Sequence, residues 1–330
     1  MNCISIDLWP VQGEPVIPWI NKALDRLVIN LAAGRLPGEP RFEAHGREAE
    51  ALLARSDFFD WDGANVPELT FEPDGEFEFR SVFDSPWESN NTVRGEVFRT
   101  AGGWLAKPSV ILVHGYNSDP AYRSVMRKWS RRLTWRGLNG ILMELPFHLR
   151  RRPKSRGGVR DFLSSDLLAV TQATKQSLLD LRSLVAWLKS HGAPQVGLWG
   201  NSLGGWLEGL LVSHSEAVDC AAFLTPVSRM DRALVEIDFA ALVRRSVEET
   251  GFEVGRFNLE NHRPRLDAKR LFFVAGRDDQ FVPLETLNHL AELWGGVETH
   301  VLPHGHISIL MSEDAADLIA NWFWGVMGAG

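Results

Sequence analysis

Six short apolar runs constrain this chain more than any other feature. They are PSVILVHG, GILMELP, QVGLWGN, DCAAFLTP, LFFVAGRD and VETHVLP, beginning at Pro108, Gly140, Gln195, Asp219, Leu271 and Val297. Each ends in a turn, and between them lie stretches of helical character. A strand with one wet face alternates polar and apolar residues; the apolar content here reads as strands covered on both faces. Strands separated by helices are joined by crossovers, not hairpins, which places them parallel in one sheet with helices on both sides. The predicted fold class is therefore α/β, with a mostly parallel central sheet.

The intervening helices are legible from their spacing. Val125, Trp129 and Leu133 mark one, a long one runs from Asp166 to Leu188, and GGWLEGLLV begins at Gly204. Pro283 opens another over LETLNHLAELW, and a last helix is expected over roughly 307–327. Upstream, FEFRSVFD and TVRGEVFRT read as two strands joined by the turn-rich SPWESNN, an antiparallel hairpin. Residues 1–75 differ in texture. Two helix-like stretches, Trp19–Gly34 and Arg47–Phe58, flank the breaker-rich LPGEP, and Ile20, Leu24, Leu27, Val28 and Leu31 recur at helical spacing. This predicts an N-terminal helical extension packed on a core domain spanning 76–330. Between the fourth and fifth apolar runs the connection is far longer than a crossover needs. Its helical periodicity (Leu234, Ile237, Phe239, Leu242, Val243) predicts a lid-like insertion at about 227–268, or a surface decoration.

Composition narrows the function classes. A net charge of -7 argues against a nucleic-acid partner, which would need a basic face. The two cysteines, Cys3 and Cys220, provide no disulfide framework. The opening MNCISIDLWPVQ lacks the basic start and apolar stretch of a signal peptide, and no segment has transmembrane length and apolarity. The expectation is a cytoplasmic protein with no transmembrane segment. Thirteen tryptophans are a high count, expected to serve packing.

Gly200-Asn201-Ser202-Leu203-Gly204 lies between the third run and the helix after it. In this strand–turn–helix context a G-x-S-x-G segment makes a tight, strained turn that projects the serine hydroxyl above the sheet. The turn also sets Ser202 at a helix N-terminus, which favours developing negative charge. A serine needs a base, and the base an orienting acid. Two loops at the carboxyl edge of the sheet offer both, in the chain order Ser, Asp, His. Asp278 and Asp279 follow the fifth run, and His304 and His306 follow the sixth. The amide of Leu203, directly after the serine, is a candidate donor to an oxyanion.

From about Phe77 to the C-terminus these features resemble the α/β-hydrolase fold superfamily, in its serine esterase and lipase-like branch. The resemblance selects among the alternatives. Gly276, Asp279, Val282 and Pro283 match that family's G-x-x-D-x-x-V-P turn, which implies Asp279 as the acid and Asp278 as its neighbour. Gly305-His306 matches the family's base, which follows a glycine before the last helix. His114-Gly115-Tyr116-Asn117 resembles the family's H-G-x-x loop, which gives the second oxyanion-hole role to the Tyr116 backbone N–H; His114 is read as a brace. What the resemblance implies is a catalytic triad of Ser202, Asp279 and His306, with no metal or organic cofactor. Its partner would be a small-molecule or lipid-like ester substrate.

Three function classes follow: a serine hydrolase, an acyltransferase using the same triad, and a non-catalytic binding protein of this fold. A dehalogenase would carry a carboxylate where Ser202 stands. Arg150, Arg151, Arg152, Lys154, Arg156 and Arg160 crowd one segment with no intervening acid. Two readings stand for them: an anion-attracting rim or a solvated loop around Gly157 and Gly158.

Overall fold

The computed structural model describes residues 18–33, 45–63, 65–116, 120–154, 162–164, 166–236 and 241–328. The opening MNCISIDLWPVQ, the LPGEP breaker, Asn117, Arg156, Arg160, Ile237 and Phe239 lie outside the described residues.

The strands are β1 (Thr70–Phe71), β2 (Glu76–Arg80), β3 (Thr92–Phe98), β4 (Ser109–Val113), β5 (Asn139–Met143), β6 (Val196–Asn201), β7 (Cys220–Leu224), β8 (Leu271–Gly276) and β9 (Glu298–Leu302). They form one sheet in the order β1-β2-β3-β5-β4-β6-β7-β8-β9. From β5 through β9 every pairing is parallel, whereas β1, β2 and β3 add an antiparallel ribbon on one side. The mostly parallel sheet and its antiparallel ribbon are what the apolar runs and the predicted hairpin imply, and the arrangement is the α/β-hydrolase fold that the resemblance implies. The central runs are buried at every position, as β4, β5, β6, β7 and β8 show. β9 is an edge strand and half exposed, so its apolar content reflects one covered face only.

The helices are α1 (Pro18–Ala33), α2 (Gly46–Leu53), α3 (Pro120–Trp135), α4 (Leu167–Ser190), α5 (Leu203–His214), α6 (Met230–Glu236), α7 (Ala241–Thr250), α8 (Leu284–Leu293) and α9 (Glu313–Met327). Alternation within β4 divides the core. Val110 and Leu112 join Trp129, Trp199, Ile319 and Phe323 under α3 and α9. Ile111 and Val113 face the opposite layer with Leu184, Trp206, Leu210 and Phe273, under α4, α5 and α8. Trp129 and Trp199 stack at 4.7 Å across the first layer. The tryptophans divide, however: Trp19, Trp135 and Trp324 are more than half exposed.

Two expectations need correction. The last helix does not start near Ile307. A 3₁₀ turn covers Ser308–Met311, and α9 begins only after Ser312, whose side chain accepts the Ala315 N–H at 3.2 Å. Serine followed by Glu313 and Asp314 is a capping arrangement that fixes the start there. Second, apolar spacing does not mark the buried positions among the described side chains of α1. Ile20 and Leu27 are 41% and 54% exposed, whereas Asn21 and Asp25 are buried.

The remainder of the extension packs elsewhere. α2 lies on α4 and α7. Arg256, beyond α7, bonds both Glu50 Oε1 at 2.7 Å and the Leu53 carbonyl at 2.9 Å. No helix among the described residues is long and apolar enough to cross a membrane.

Candidate active site

The site forms where β4 and β6 lie side by side in parallel register, Val113 opposite Gly200. β4 has β5 on its other flank, so successive chain segments depart from it in opposite directions, and the loops leave a crevice at the carboxyl edge. The loop after β6 carries Ser202. Its backbone sits at φ 51°, ψ −115°, a region non-glycine residues rarely occupy. Such strain, of order 1–3 kcal/mol, persists only where the surroundings enforce it. Here the Ser202 N–H donates to the Leu224 carbonyl at 3.0 Å, and the Ser202 carbonyl accepts from Trp206 N–H and Val227 N–H at 3.0 and 3.3 Å. Small neighbours are obligatory. A Cβ on Gly204 would fall 2.1 Å from the Val113 carbonyl oxygen, and one on Gly200 would fall 2.5 Å from the Glu208 carboxyl group.

The structure brings the three sequence-predicted side chains into one hydrogen-bonded chain. His306 Nε2 lies 2.9 Å from Ser202 Oγ, and His306 Nδ1 lies 2.8 Å from Asp279 Oδ2. The second Asp279 oxygen accepts the N–H groups of Phe281 and Val282 at 2.7 and 2.8 Å. That turn holds the carboxylate still and aims Oδ2 at the imidazole. Phe281 covers the ring, centroids 4.7 Å apart. His306 is buried, which disfavours its imidazolium. The charge of Asp279 and its hydrogen bond, with the charge of Asp25, outweigh that and hold the imidazole above its ordinary value.

The alternatives occupy other places. Asp278 turns away from His306 and accepts from Asn21 Nδ2 at 3.0 Å. His304 lies at the strand end, where its carbonyl accepts the Asp278 N–H at 2.9 Å.

Leu203 opens α5, where the first amides have no partner within the helix. The loop after β4 passes directly over the elbow: a Cβ on Gly115 would lie 2.8 Å from Asn201 Nδ2 and 3.4 Å from the Ser202 Cβ. Tyr116 follows Gly115 there. His114 braces this loop. Its Nε2 accepts the Leu145 N–H at 3.0 Å while Nδ1 donates to the Gly115 carbonyl at 2.8 Å, and burial pushes it down to about 4, so it stays neutral.

Two cations of the basic segment, Arg150 and Arg151, depart from both readings made of it. Arg150 is bound to Glu144, with Nε to Oε1 at 2.9 Å, and to Glu76. Arg151 is wholly buried and pairs with Asp180 at 2.7 Å. Glu144, Glu76 and Asp180 absorb both charges, so Arg150 and Arg151 belong to the scaffold; Arg152 and Lys154 are exposed.

Three residues near the site escaped the reading of the sequence. Asn21 and Asp25 of α1 bond the acid loop and the histidine loop, and Glu208 of α5 lies buried behind the elbow. The spacing of Asn21 and Asp25, one helical turn apart, was the available signal.

Comparison with known proteins fits this architecture. A family model described as alpha/beta hydrolase domain containing 18 matches residues 117–230 and 243–321, more than half of the chain. The matched stretches contain Ser202, Asp279 and His306 but not α1. Two curated proteins from Mycobacterium tuberculosis, of strains H37Rv and CDC 1551 and both described as uncharacterized, are each 29% identical over 219 residues, 63% of this chain and 51% of theirs. The chain thus spans about half the length of the curated relatives it matches. Among solved structures, an esterase of Pyrococcus furiosus superposes with a TM-score of 0.53 at 19% identity, covering 82% of this chain and 97% of that one. An acetyl xylan esterase from a Paenibacillus species gives 0.55 at 15% identity, covering 87% and 96%. At such identities these neighbours speak to the fold, and the family model carries the assignment: the chain belongs to the alpha/beta hydrolase domain containing 18 family.

Proposed function

We propose that this protein is a serine hydrolase that cleaves a carboxylic ester, or a thioester or activated amide, through an acyl-enzyme intermediate. The observation that carries this reading is the continuous Ser202–His306–Asp279 chain at 2.9 and 2.8 Å on a strained elbow. Strain of that kind persists only where the surroundings enforce it, and here it coincides with the serine that His306 contacts.

The chemistry follows from the geometry. His306 Nε2 takes the Ser202 proton as Oγ attacks the substrate carbonyl carbon, and Asp279 holds the imidazole with Nδ1 protonated and stabilises the imidazolium. The backbone N–H groups of Leu203 and Tyr116 receive the oxyanion. His306 then returns the proton to the departing alcohol, leaving Ser202 acylated. Water, deprotonated by the same ring, attacks the acyl carbon and releases the acid, restoring the Ser202 hydroxyl.

The insertion at about 227–268 serves as a lid in this reading. Its first residues, Val227, Ser228, Arg232 and Ala233, face Phe281 and Pro283 of the acid loop across a shallow cleft. The cleft adjoins the elbow, since Val227 N–H bonds the Ser202 carbonyl. We assign the substrate to small-molecule or lipid-like esters, as the resemblance to serine esterases implies, and the site of action to the cytoplasm, as expected from the sequence.

Ser202→Ala should reduce turnover of p-nitrophenyl esters by a factor of order 10³ or more while the fold is kept. A fluorophosphonate probe should label wild-type protein at Ser202. Near wild-type turnover by the alanine variant, or labelling at another residue, would refute the assignment.

A further inference from the structure

The helix α1 lies outside the stretches shared with the family, yet the two buried polar side chains among its described residues, Asn21 and Asp25, bond only the loops of the active site. We propose that Asp25 is a positioning residue: from α1 it ties the acid loop to the histidine loop and sets a second carboxylate beside His306. This rests on the hydrolase reading above and deepens it.

Asp25 is 0% exposed. Its Oδ2 accepts the Gln280 N–H at 3.2 Å and the His306 N–H at 2.9 Å; its Oδ1 accepts the Ile307 N–H at 3.0 Å. One carboxylate therefore bridges the residue after Asp279 to the backbone of His306 itself. One turn earlier, Asn21 repeats the pattern. It donates to Asp278 Oδ2 at 3.0 Å and to the Pro303 carbonyl at 3.2 Å, and accepts from Ser308 Oγ at 2.9 Å. Gly305 permits the approach, since a Cβ there would stand 2.8 Å from Asp25 Oδ2.

Packing alone would not choose this orientation. A helix that buries Asn21 and Asp25 while leaving Trp19 and Ile20 exposed forgoes apolar burial and desolvates a carboxylate. Burial raises this carboxyl above its ordinary value, and the amide donors with the charge of protonated His306 offset that only in part. What this arrangement fixes is the distance between the turn bearing Asp279 and the backbone bearing His306. The ring bridges two hydrogen bonds, and a small displacement of either loop would break one of them.

The charge of Asp25 acts as well. His306 faces Asp279 from the acid loop, Asp25 from α1 and the Ser202 hydroxyl from the elbow. Arg277, Asp278 and His304 stand on the adjoining turns, and Asp314 of α9 faces His304. Removing the Asp25 charge leaves Asp279 as the remaining anion acting on the ring, so the imidazolium should release its proton at lower pH.

The test uses the full chain with Asp25→Asn, which keeps the size, removes the charge and turns an NH₂ toward one side of the amides that Asp25 accepts. Steady-state kinetics on p-nitrophenyl butyrate, the pH profile of kcat/KM and the NMR titration of the His306 ring are read together. Expected are a fall in kcat of about tenfold or more with KM within about twofold, and a rising limb displaced to lower pH. Unchanged kcat and an unchanged limb would overturn the proposal. If Asp25→Asn does not fold, Asn21→Ala loosens α1 with Asp25 in place; kcat should fall at constant KM, and an unchanged kcat overturns it. If wild type neither turns over esters nor takes the fluorophosphonate, the hydrolase reading fails, and the His306 titration still decides: a lower midpoint in Asp25→Asn supports the role, an equal one ends it.

Discussion

Asp279 commits its two oxygens to different tasks, Oδ1 to the amides of Phe281 and Val282 and Oδ2 to the His306 ring. An asparagine there would keep its oxygen on the amides and turn its NH₂ toward Nδ1. The ring would then carry its proton on Nε2 and could no longer accept one from Ser202. Asp279→Asn should accordingly lower kcat by about 10³–10⁴. Asp278→Asn disturbs the contacts to Asn21 and Arg277, neither of which touches His306, and should cost far less. Comparing kcat of the two variants checks this, and equal losses would reverse the roles of the neighbours. A second expectation concerns pH. The base must be neutral to accept the serine proton, and its surroundings hold His306 above its ordinary value of 6.5. Activity should therefore rise with pH through a midpoint above 6.5, which a kcat/KM profile of wild type measures. The residue-scale reading from sequence was strongest where spacing encodes a turn. The resemblance of Gly276, Asp279, Val282 and Pro283 to the family's turn implied Asp279 over Asp278, and it is Asp279 that accepts the amides of Phe281 and Val282.

At the scale of elements, α5 unites a constraint and a liability. Its first turn presses on β4 so closely that Gly204 admits no side chain. One turn further, Glu208 is buried against Gly200, and its carboxyl oxygens lack a hydrogen-bond partner within normal geometry among the described residues. Burial pushes this carboxyl well above the usual carboxylate range, opposed only by the Gly200 backbone N–H. The folded protein thus holds a proton there that the unfolded chain gives up. Stability from this group is full below the unfolded value of 4.5 and is lost as pH rises above it. Glu208→Gln, which stays neutral throughout, should raise Tm at pH 7–8 relative to wild type and lose that advantage near pH 4. Thermal melts at both pH values read this, and an equal Tm at pH 8 would count against a protonated Glu208. α1 shows the limit of periodicity at this scale. Ile20, Leu24 and Leu27 lie at helical spacing, yet the helix is oriented by Asn21 and Asp25, because an anion with three amide donors fixes a helix more specifically than a modest apolar stripe. The start of α9 was likewise hidden by the apolar 3₁₀ turn at Ser308–Met311, which continues the helical pattern without being helix.

At the scale of the molecule, the parallel sheet was legible because its central strands are buried on both faces and so carry unbroken apolar runs. The hairpin of β2 and β3 was legible from its alternation, since those strands cover only one side. Strand order across β4 was not written in any local pattern; it follows from crossovers, and so do the partners of Arg150 and Arg151. Glu76, Glu144 and Asp180 lie far from the basic segment or on other elements, and their contact exists only once the sheet has closed. The same holds for the tie between α1 and the histidine loop. Asp25 and His306 are 281 positions apart. A ribosome adding about 5–20 residues per second needs roughly 15–60 s to cover that interval. For all that time α1 exists while the amides it must receive have not been made. The elbow and the acid loop emerge earlier, so a nascent or truncated chain would carry a nucleophile but no base and no clamp. Hydrolytic competence would then arrive in a single late step, when residues 305–308 meet the helix that has waited for them, and an unfinished chain would be harmless to the esters around it.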